Sequence, residues 1–219
     1  MNKNIKENYI VPLILIFFSI VFSIFTSNII ISFFILTSGL LNGWYAAIGK
    51  WYNYPFGILF NLLNSYVSFK TGLYGIFIFS ILLYLPLQIV GLFNWYKAKE
   101  KNNKVKIRGF NTKVSFLITL LCFLGSMSLG YILSKVPGQN LALLDSTSNI
   151  INICAIILMN LRFKECWWIL LGNNIVDLII WIINFSLKLP NSYPMLLVSI
   201  AYLILNIVGL IKWEKQKRR

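Results

Sequence analysis

The stretch IVGLFNWYK, residues 89–97, returns near the end of the chain as IVGLIKWEK, residues 207–215. Both copies end a long apolar run with a Trp and a Lys, a pattern typical of a helix that reaches a membrane surface. Such a match within one chain indicates that a larger unit of the fold is duplicated. The repeat therefore predicts two related halves.

The composition predicts an integral membrane protein. Of 219 residues, 58% are hydrophobic and only 12% are charged, whereas about a quarter of the residues in soluble domains are charged. The net charge of +14 lies in short basic clusters between apolar runs, which is typical of topology signals and not of a nucleic-acid surface. Membrane lipids are expected partners and nucleic acid is not.

The titratable residues exclude most enzyme chemistry. The chain has no His and six acidic residues, so Ser-His-Asp catalysis and His-type zinc sites are absent. Cys122, Cys154 and Cys166 lack metal-ligand spacing and are interpreted as small apolar helix residues, although a disulfide stays possible. We expect no enzyme, no catalytic residue, no metal and no cofactor.

The apolar runs predict an all-α fold with eight transmembrane helices. The first run follows Lys3 and Lys6 like a signal peptide, but no small-residue cleavage site follows it, so we expect a retained helix. Pro55 opens the short third run, where a missing N–H costs nothing. The runs lie near residues 9–26, 29–48, 55–69, 73–96, 114–133, 143–159, 166–187 and 193–211.

The Lys and Arg residues orient these helices. If both termini share one side, that side receives 17 of the 20 basic residues, and the other receives only Lys70, Lys135 and Lys188. The positive-inside rule then predicts a multi-pass protein of the cytoplasmic (inner) membrane with both termini in the cytoplasm. The basic linker, residues 97–113, is interpreted as a solvated connector that attracts anionic lipid.

The two halves align helix by helix. Ile207 lies 118 positions after Ile89, and Asn174 lies 113 positions after Asn61. In the helix before these, we align Ser38 with Ser148 and Asn42 with Asn152, at a separation of 110. One helix between two three-helix units returns the second unit to the orientation of the first, so the repeats are parallel. The predicted segments are an N-terminal helix (1–27), the first repeat (28–97), the linker with a connecting helix (98–142), the second repeat (143–213) and a basic tail (214–219).

Polar stripes on equivalent helices mark a candidate binding site, because polar groups in hydrocarbon are costly. Asn and Ser side chains can instead join helices by hydrogen bonds. The stripes fall in matching places of both repeats, however, which favours a shared site. The candidate residues are Asn61, Asn64, Tyr66, Tyr84, Gln88, Asn173, Asn174, Asp177, Trp181 and Asn206.

Asp177 is the only carboxylate predicted deep within a span, and no Lys or Arg lies at comparable depth. It is either protonated or hydrogen-bonded to Asn173 or Asn174, or it faces a cavity beside Trp181. In the cavity, a carboxylate and an aromatic face together suit a cationic heteroaromatic ring. Aromatic residues near span ends, such as Trp95 and Trp213, are expected in the interfacial belt.

The chain resembles the PnuC family of nicotinamide riboside transporters. Residues 73–97 are similar to the family's Leu-Tyr, Gln and Trp helix, residues 164–177 resemble its Glu-x-Trp segment followed by Asn or Asp, and GLIKW, residues 209–213, resembles its Gly-x-x-x-Trp. Two positions depart: Ala98 replaces the second Trp of a Gly-Trp-x-x-Trp pattern, and Leu170 replaces the second Trp of Glu-x-Trp-x-x-Trp.

The resemblance implies a SWEET-like fold and import of nicotinamide riboside for NAD biosynthesis. Transport would be facilitated diffusion by alternating access, with trapping by a cytoplasmic kinase. Relatives in this family carry thiamine, riboflavin or deoxynucleosides, so the departures leave the substrate open among such compounds. The resemblance also implies a homo-oligomer such as a trimer.

Three other classes compete with a carrier. A vitamin-binding membrane subunit of an energy-coupling transporter would lack the parallel duplication and would co-purify with ATPase partners. An intramembrane enzyme would need a nucleophile and a base that the spans do not offer. A helical scaffold without a cavity would be indifferent to the loss of the Asp177 carboxylate.

Overall fold

The structure, a computed structural model, describes residues 9–26, 28–98, 106–109 and 112–217. Within these ranges the chain forms eight helical spans, which confirms the predicted all-α fold. Seven of the basic residues predicted for the lysine-rich side lie outside the described residues: Lys3, Lys6, Lys99, Lys101, Lys104, Arg218 and Arg219. The helices are α1 (Val11–Ile24), α2 (Ile29–Ala47), α3 (Asn53–Lys70), α4 (Tyr74–Lys97), α5 (Thr112–Leu133), α6 (Ala142–Asn160), α7 (Cys166–Ser186) and α8 (Ser192–Lys217).

Five of the described helices, α2, α4, α6, α7 and α8, are long and apolar enough to cross a membrane. Helix α1 and the Leu120–Leu133 part of α5 are shorter apolar segments. Helix α3 has 18 residues and is more polar, because it carries Asn61, Asn64 and two buried Ser residues toward the centre of the molecule. The face of a helix that meets protein need not be apolar in a membrane.

Helix α4 contains one wider, π-helical turn at Ser80–Tyr84, between α-helical segments Tyr74–Phe79 and Leu85–Lys97. Pro86 follows this turn and lacks the N–H that would bond four residues back, so a local change of helical geometry accommodates it. The wide turn ends at Tyr84, which is 2% exposed and points into the molecule. Such turns are often found at functional sites.

Six helices form a closed ring in the order α2, α3, α4, α6, α7, α8, with α8 returning to α2. The ring brings α2, α3 and α4 of the first half opposite α6, α7 and α8 of the second. Helix α1 packs on α2 outside the ring, and α5 packs on α6 in the same way. The even-numbered helices begin at one end of the ring, called here the lysine-poor end after Lys70, Lys135 and Lys188, and they end at the lysine-rich end.

Backbone geometry fixes the register of the two repeats. Helices α2 and α6 both have 19 residues and begin 113 positions apart, at Ile29 and Ala142. The turns after them match: the Gly49 N–H donates to the Ala46 carbonyl and the Arg162 N–H to the Met159 carbonyl, both at 2.9 Å, and Gly49 and Arg162 both have positive φ.

The predicted pairing of Ser38 with Ser148 and of Asn42 with Asn152 is therefore wrong by three residues. At a separation of 113, Ser148 is equivalent to Ile35 and Asn152 to Gly39. The error arises because one helical turn spans 3.6 residues, so polar residues that share a face can be aligned one turn out of register. The duplicated backbone has kept its geometry while its polar side chains have diverged.

The repeated segment builds an aromatic cluster at the lysine-rich end. Trp95 and Trp213 are 0% and 1% exposed, and their ring centroids are 5.8 Å apart. The Trp95 indole donates to the Met159 carbonyl at 3.0 Å, and the Trp213 indole donates to the Ala46 carbonyl at 3.3 Å. The expectation that these two Trp residues belong to the interfacial belt is therefore wrong, because each finds its hydrogen-bond partner inside the protein.

The repeated glycine makes room for a second aromatic residue in each half. A Cβ at Gly209 would lie 2.5 Å from the Trp167 ring, and one at Gly91 would overlap the Tyr54 ring. Tyr54 and Trp167 are equivalent, since both stand near the start of α3 or α7 and are 113 positions apart. The recurring Gly and Trp therefore allow aromatic side chains of both halves to pack together at the lysine-rich end.

Candidate functional site

A cavity of about 140 Å³ lies at the centre of the ring, and both repeats line it. Helices α3 and α7 cross this region with their polar faces inward, as the equivalent stripes predict. Nine of the ten candidate residues line the cavity: Asn61, Asn64, Tyr84, Gln88, Asn173, Asn174, Asp177, Trp181 and Asn206.

Tyr66 is the exception among the candidates. Its side chain is 45% exposed on the outer surface of α3, where Lys70 lies 6.0 Å from the ring centroid. Five residues separate Tyr66 from Asn61, which is about 140° around a helix of 3.6 residues per turn. The prediction that Tyr66 contributes to the site is therefore wrong.

Asp177 joins two helices at the cavity wall. Its Oδ1 accepts a hydrogen bond from the Ser148 hydroxyl at 2.5 Å, and its Oδ2 accepts one from the Asn173 amide at 2.8 Å. The carboxylate is thus hydrogen-bonded and also faces the cavity, so the two interpretations of this residue are compatible. Among the described lining residues there is no Lys or Arg to neutralise it.

Asn174 and Asn206 use part of their hydrogen-bonding capacity to join α7 to α8. The Asn206 amide donates to Asn174 Oδ1 at 2.9 Å, and the Asn174 amide donates to the Ser199 carbonyl at 2.8 Å. These two residues therefore hold helices together, as the alternative interpretation of the stripes proposes. Both still line the cavity.

Four polar atoms in the cavity wall find no hydrogen-bond partner among the described residues: Asn53 Oδ1, Gln88 Oε1, Asn173 Oδ1 and Trp167 Nε1. A buried donor or acceptor without a partner is costly, so these atoms are suited to a bound polar ligand. They offer three acceptors and one donor, two atoms from each half of the ring.

Gly57 on α3 makes room for two of the lining amides. A Cβ at this position would lie 2.7 Å from Asn42 Nδ2 and 2.8 Å from Gln88 Oε1. The Asn42 amide also donates to the Asn53 carbonyl at 3.0 Å, and the Tyr202 hydroxyl donates to Asn42 Oδ1 at 3.3 Å. The absence of a side chain at Gly57 therefore sets where these amides stand.

Two aromatic candidates contribute apolar surface to the wall. Trp181 is 3% exposed and packs among the apolar residues near the lysine-poor end. Tyr84 donates its hydroxyl to Asn149 Oδ1 at 2.7 Å, so its ring is held in place. Both rings line the cavity, and Trp181 lies one helical turn from Asp177.

Several lining residues were missed as site candidates because no periodic pattern marks them. Tyr54 and Trp167 stand at the start of α3 and α7 and look like interfacial aromatics in the sequence. Ser148 and Asn152 entered only through the alignment of the two halves, and Tyr202 was not among the candidates. The remaining polar or aromatic lining residues are Asn42, Asn53, Phe60, Asn160 and Ser199.

A ring built from two three-helix units around an amide-lined cavity is an architecture suited to a membrane transporter. A family described as nicotinamide mononucleotide transporter matches residues 29–215. The chain belongs to this family, which is the PnuC family. The match begins at the first residue of α2 and ends within α8, so it contains the entire ring.

Two curated relatives and one solved structure are similar to the chain. The nicotinamide riboside transporter PnuC of Neisseria mucosa is 29% identical over 187 residues, which cover 83% of this chain and 71% of that protein. The protein of the same name from Haemophilus influenzae is 29% identical over 186 residues, with 83% and 78% covered. A crystal structure of the vitamin B3 transporter PnuC matches with a TM-score of 0.83 and 27% identity, covering 96% of this chain and 91% of that one.

Proposed function

We propose that this protein imports nicotinamide riboside by facilitated diffusion, with the central cavity alternately open to each side of the membrane. The observation that carries this proposal is the arrangement of Asp177, Trp181 and unpartnered polar atoms around one cavity between two like halves. The names of the two relatives support the choice of substrate. Rocking of one half against the other would expose the site to each side in turn.

The lining suits the chemistry of nicotinamide riboside. The pyridinium ring of this compound is a cation, which the Asp177 carboxylate and the Trp181 face would attract. Its carboxamide and ribose hydroxyls both donate and accept hydrogen bonds, and Gln88 Oε1, Asn173 Oδ1 and Trp167 Nε1 are available to them. A buried site with such groups discriminates strongly against ligands that leave them unpaired.

The same lining favours the riboside over the mononucleotide. A phosphate monoester carries about two negative charges near neutral pH, and proteins bind it with Arg, Lys or helix N-termini. The described lining has no Lys or Arg, and it contains the Asp177 carboxylate. The phosphorylated product would therefore be rejected by the carrier, which would trap imported substrate once a cytoplasmic kinase acts on it.

The presence of Leu170 in the cavity wall favours a second group of candidate substrates. It lines the cavity at a position where the family resemblance leads us to expect an aromatic residue. A smaller aliphatic side chain there would change the shape of the wall beside Trp167. Thiamine, riboflavin and deoxynucleosides are therefore the competing ligands in any binding screen.

We infer that the lysine-rich end faces the cytoplasm, so that both termini are cytoplasmic. The lysine-poor end carries Lys70, Lys135 and Lys188, and the positive-inside rule assigns it to the outside. Cysteine substitutions at Lys135 and at Lys215 test this orientation in intact cells. An impermeant thiol reagent should label position 135 and not position 215, and the reverse pattern would contradict the orientation.

The homo-oligomer implied by the family resemblance is also a proposal. The outer faces of the helices are apolar and exposed, for example at Phe123, Leu121 and Ile204, and they can meet lipid or a second copy equally well. Mass measurement of the detergent-solubilised particle, corrected for bound detergent, distinguishes a monomer from a trimer.

Uptake into liposomes tests the proposed function. Purified protein should equilibrate labelled nicotinamide riboside across the membrane without ATP or an ion gradient, and unlabelled substrate inside should accelerate exchange. Nicotinamide mononucleotide should not compete at the same concentration. If protein-free liposomes took up the label equally fast, or if uptake required an ion gradient, facilitated diffusion would be wrong.

A further inference from the structure

The ring has two seams where one repeat meets the other, and pseudo-symmetry makes them equivalent. One seam joins α4 to α6, and the other joins α8 to α2. Because α2 corresponds to α6 and α4 to α8, an exactly duplicated protein would hold both seams with the same contacts. A carrier must loosen contacts between its halves in order to open, so any difference between the seams bears on how it moves.

Asp145 fastens the α4–α6 seam at the lysine-poor end. Its Oδ2 accepts from the Gly75 N–H and its Oδ1 from the Ile76 N–H, both at 2.9 Å, in the first turn of α4. The Gln139 amide donates to Asp145 Oδ2 at 2.7 Å, and Asn149 donates to Oδ1 at 2.8 Å. Asp145 is 0% exposed, and it satisfies the free N–H groups at the start of a helix where negative charge is favoured.

The same seam is hydrogen-bonded along the rest of its length. Tyr84 donates to Asn149 Oδ1 at 2.7 Å near the middle. Asn160 donates to the Leu87 carbonyl at 2.8 Å, and Trp95 donates to the Met159 carbonyl at 3.0 Å toward the lysine-rich end. Separating these groups inside a membrane would leave several of them without partners, which is costly.

The α2–α8 seam has lost the equivalent fastening. The residue equivalent to Asp145, 113 positions earlier, is Ser32, whose hydroxyl is fully buried and finds no partner among the described residues. The residue equivalent to Ile76, 118 positions later, is Pro194, which has no N–H to donate. The α2–α8 seam therefore lacks an equivalent of the Asp145 carboxylate acceptor and of the Ile76 N–H donor.

Apolar packing holds the lysine-poor half of the α2–α8 seam instead. Ile35, Leu36, Met195 and Val198 are each at most 3% exposed and belong to one cluster. Among the described residues, polar contacts cross this seam only from its middle onward: Tyr202 to Asn42 at 3.3 Å, Trp213 to the Ala46 carbonyl at 3.3 Å and Lys212 over the Trp44 ring at 5.2 Å. Parting these side chains breaks no hydrogen bond, so this half of the α2–α8 seam costs less to open than the hydrogen-bonded α4–α6 seam.

We propose that Asp145 is a positioning residue that keeps the α4–α6 seam closed during transport, so that the cavity opens at the lysine-poor end between α2 and α8. The proposal rests on the proposed carrier function. Substrate from that side would pass Ile35, Met195 and Val198 to reach Trp181 and Asp177, while Tyr84 and Gln88 keep their positions on α4. The two halves thus move about the fastened seam.

Paired cysteines across each seam test this proposal in a protein whose native Cys122, Cys154 and Cys166 are replaced by Ala. For the α2–α8 seam the pair is Gly39→Cys with Val198→Cys, because a Cβ at Gly39 would lie 3.1 Å from Val198 Cγ1. For the α4–α6 seam the matched pair is Gly75→Cys with Asp145→Cys, because a Cβ at Gly75 would lie 2.8 Å from Asp145 Oδ1. Each pair is reconstituted once, then assayed oxidised and reduced, with cross-linking measured by thiol alkylation.

The two pairs should respond to oxidation in opposite ways. Oxidising the α2–α8 pair should lower uptake about tenfold or more relative to the same sample reduced, because the open state is then unpopulated. Oxidising the α4–α6 pair should maintain or raise uptake, because the disulfide restores the tether that the Asp145 substitution removes. A residue needed only for folding would not be rescued in this redox-dependent way.

Each contrary result has a definite meaning. If the cross-linked α4–α6 pair stops transport, or if the cross-linked α2–α8 pair still transports, the seam assignment is wrong. Failure of the α2–α8 pair to cross-link would also count against the seam assignment, since the inference rests on the close packing of α2 against α8. The cysteine-free parent must equilibrate nicotinamide riboside; if it does not, the proposed function fails and not the choice of seam.

Discussion

The Ser148 hydroxyl lies 2.5 Å from Asp177 Oδ1 and ties α6 to α7 at the wall of the central cavity. Ser148 is itself buried, at 5% exposed, whereas Asp177 is partly exposed, so a buried hydroxyl holds the carboxylate from the protein side. A fixed carboxylate with its second oxygen bonded to Asn173 is oriented before any ligand arrives. Such pre-organisation reduces the cost of binding a cation.

Replacing Asp177 with Asn should weaken binding of nicotinamide riboside by about 10- to 100-fold, since a hydrogen bond or contact with a charged group contributes about 1.5–3 kcal/mol. Isothermal titration of the purified protein measures this. Nicotinamide, which lacks the pyridinium charge, is the control ligand, and its affinity should fall much less in this variant. Equal losses for both compounds would mean that the charge of Asp177 does not act on the ligand.

Trp181→Ala should weaken binding about 5- to 30-fold through the loss of an aromatic face, which is worth about 1–2 kcal/mol against a desolvated cation. Tyr66→Ala is the matched control, because Tyr66 is an aromatic residue on the lipid-facing surface. Titration of both variants with nicotinamide riboside makes the comparison. A larger effect of Tyr66→Ala than of Trp181→Ala would place the site outside the ring.

Gly57→Ala should lower affinity while leaving the protein folded. The added methyl group meets Gln88 Oε1 and Asn42 Nδ2, and both amides belong to movable side chains that can shift out of their binding positions. Gly172→Ala is the control, because a Cβ there meets nothing within 4 Å. Affinity and melting temperature should be recorded together; unchanged affinity in Gly57→Ala would show that these amides do not contact the ligand.

Gly209→Ala should destabilise the protein by about 1–3 kcal/mol, the usual cost of overpacking a filled core. The new Cβ would lie 2.5 Å from the Trp167 ring, which is rigid and 1% exposed. Thermal unfolding in detergent should show a lower melting temperature than for Gly172→Ala. A melting temperature equal to that of the control would mean that the Trp167 side chain can move aside, and the aromatic cluster would then not be tightly packed.

The sequence was sufficient to predict the eight spans, because long apolar runs and Lys-Arg clusters are read directly from composition along the chain. It also predicted that Asn61, Asn64, Asn174 and Asp177 share one environment, because they lie at equivalent positions on equivalent helices. Both conclusions rest on the order of residue types along the chain and need no knowledge of which helices become neighbours.

Other features could not be predicted because they depend on which helices become neighbours. Trp95 and Trp213 look like belt residues at span ends, yet each donates to a carbonyl on a helix of the opposite half. Tyr66 was expected in the binding site, yet it faces outward. The alignment of α2 with α6 by their Ser and Asn residues was wrong by one helical turn. Matching polar residues alone therefore do not determine which positions of the two repeats are equivalent.

The sequence by itself determined that this protein crosses the membrane as a duplicated helical unit carrying an amide-rich stripe in each half, since hydrophobic length and repeat spacing are written along the chain. Only the tertiary structure decided that Ser148 meets Asp177, that Asp145 closes one seam, and that Ser32 and Pro194 leave the other apolar. Those relationships join residues of different helices, and a contact between helices exists only after the ring has closed.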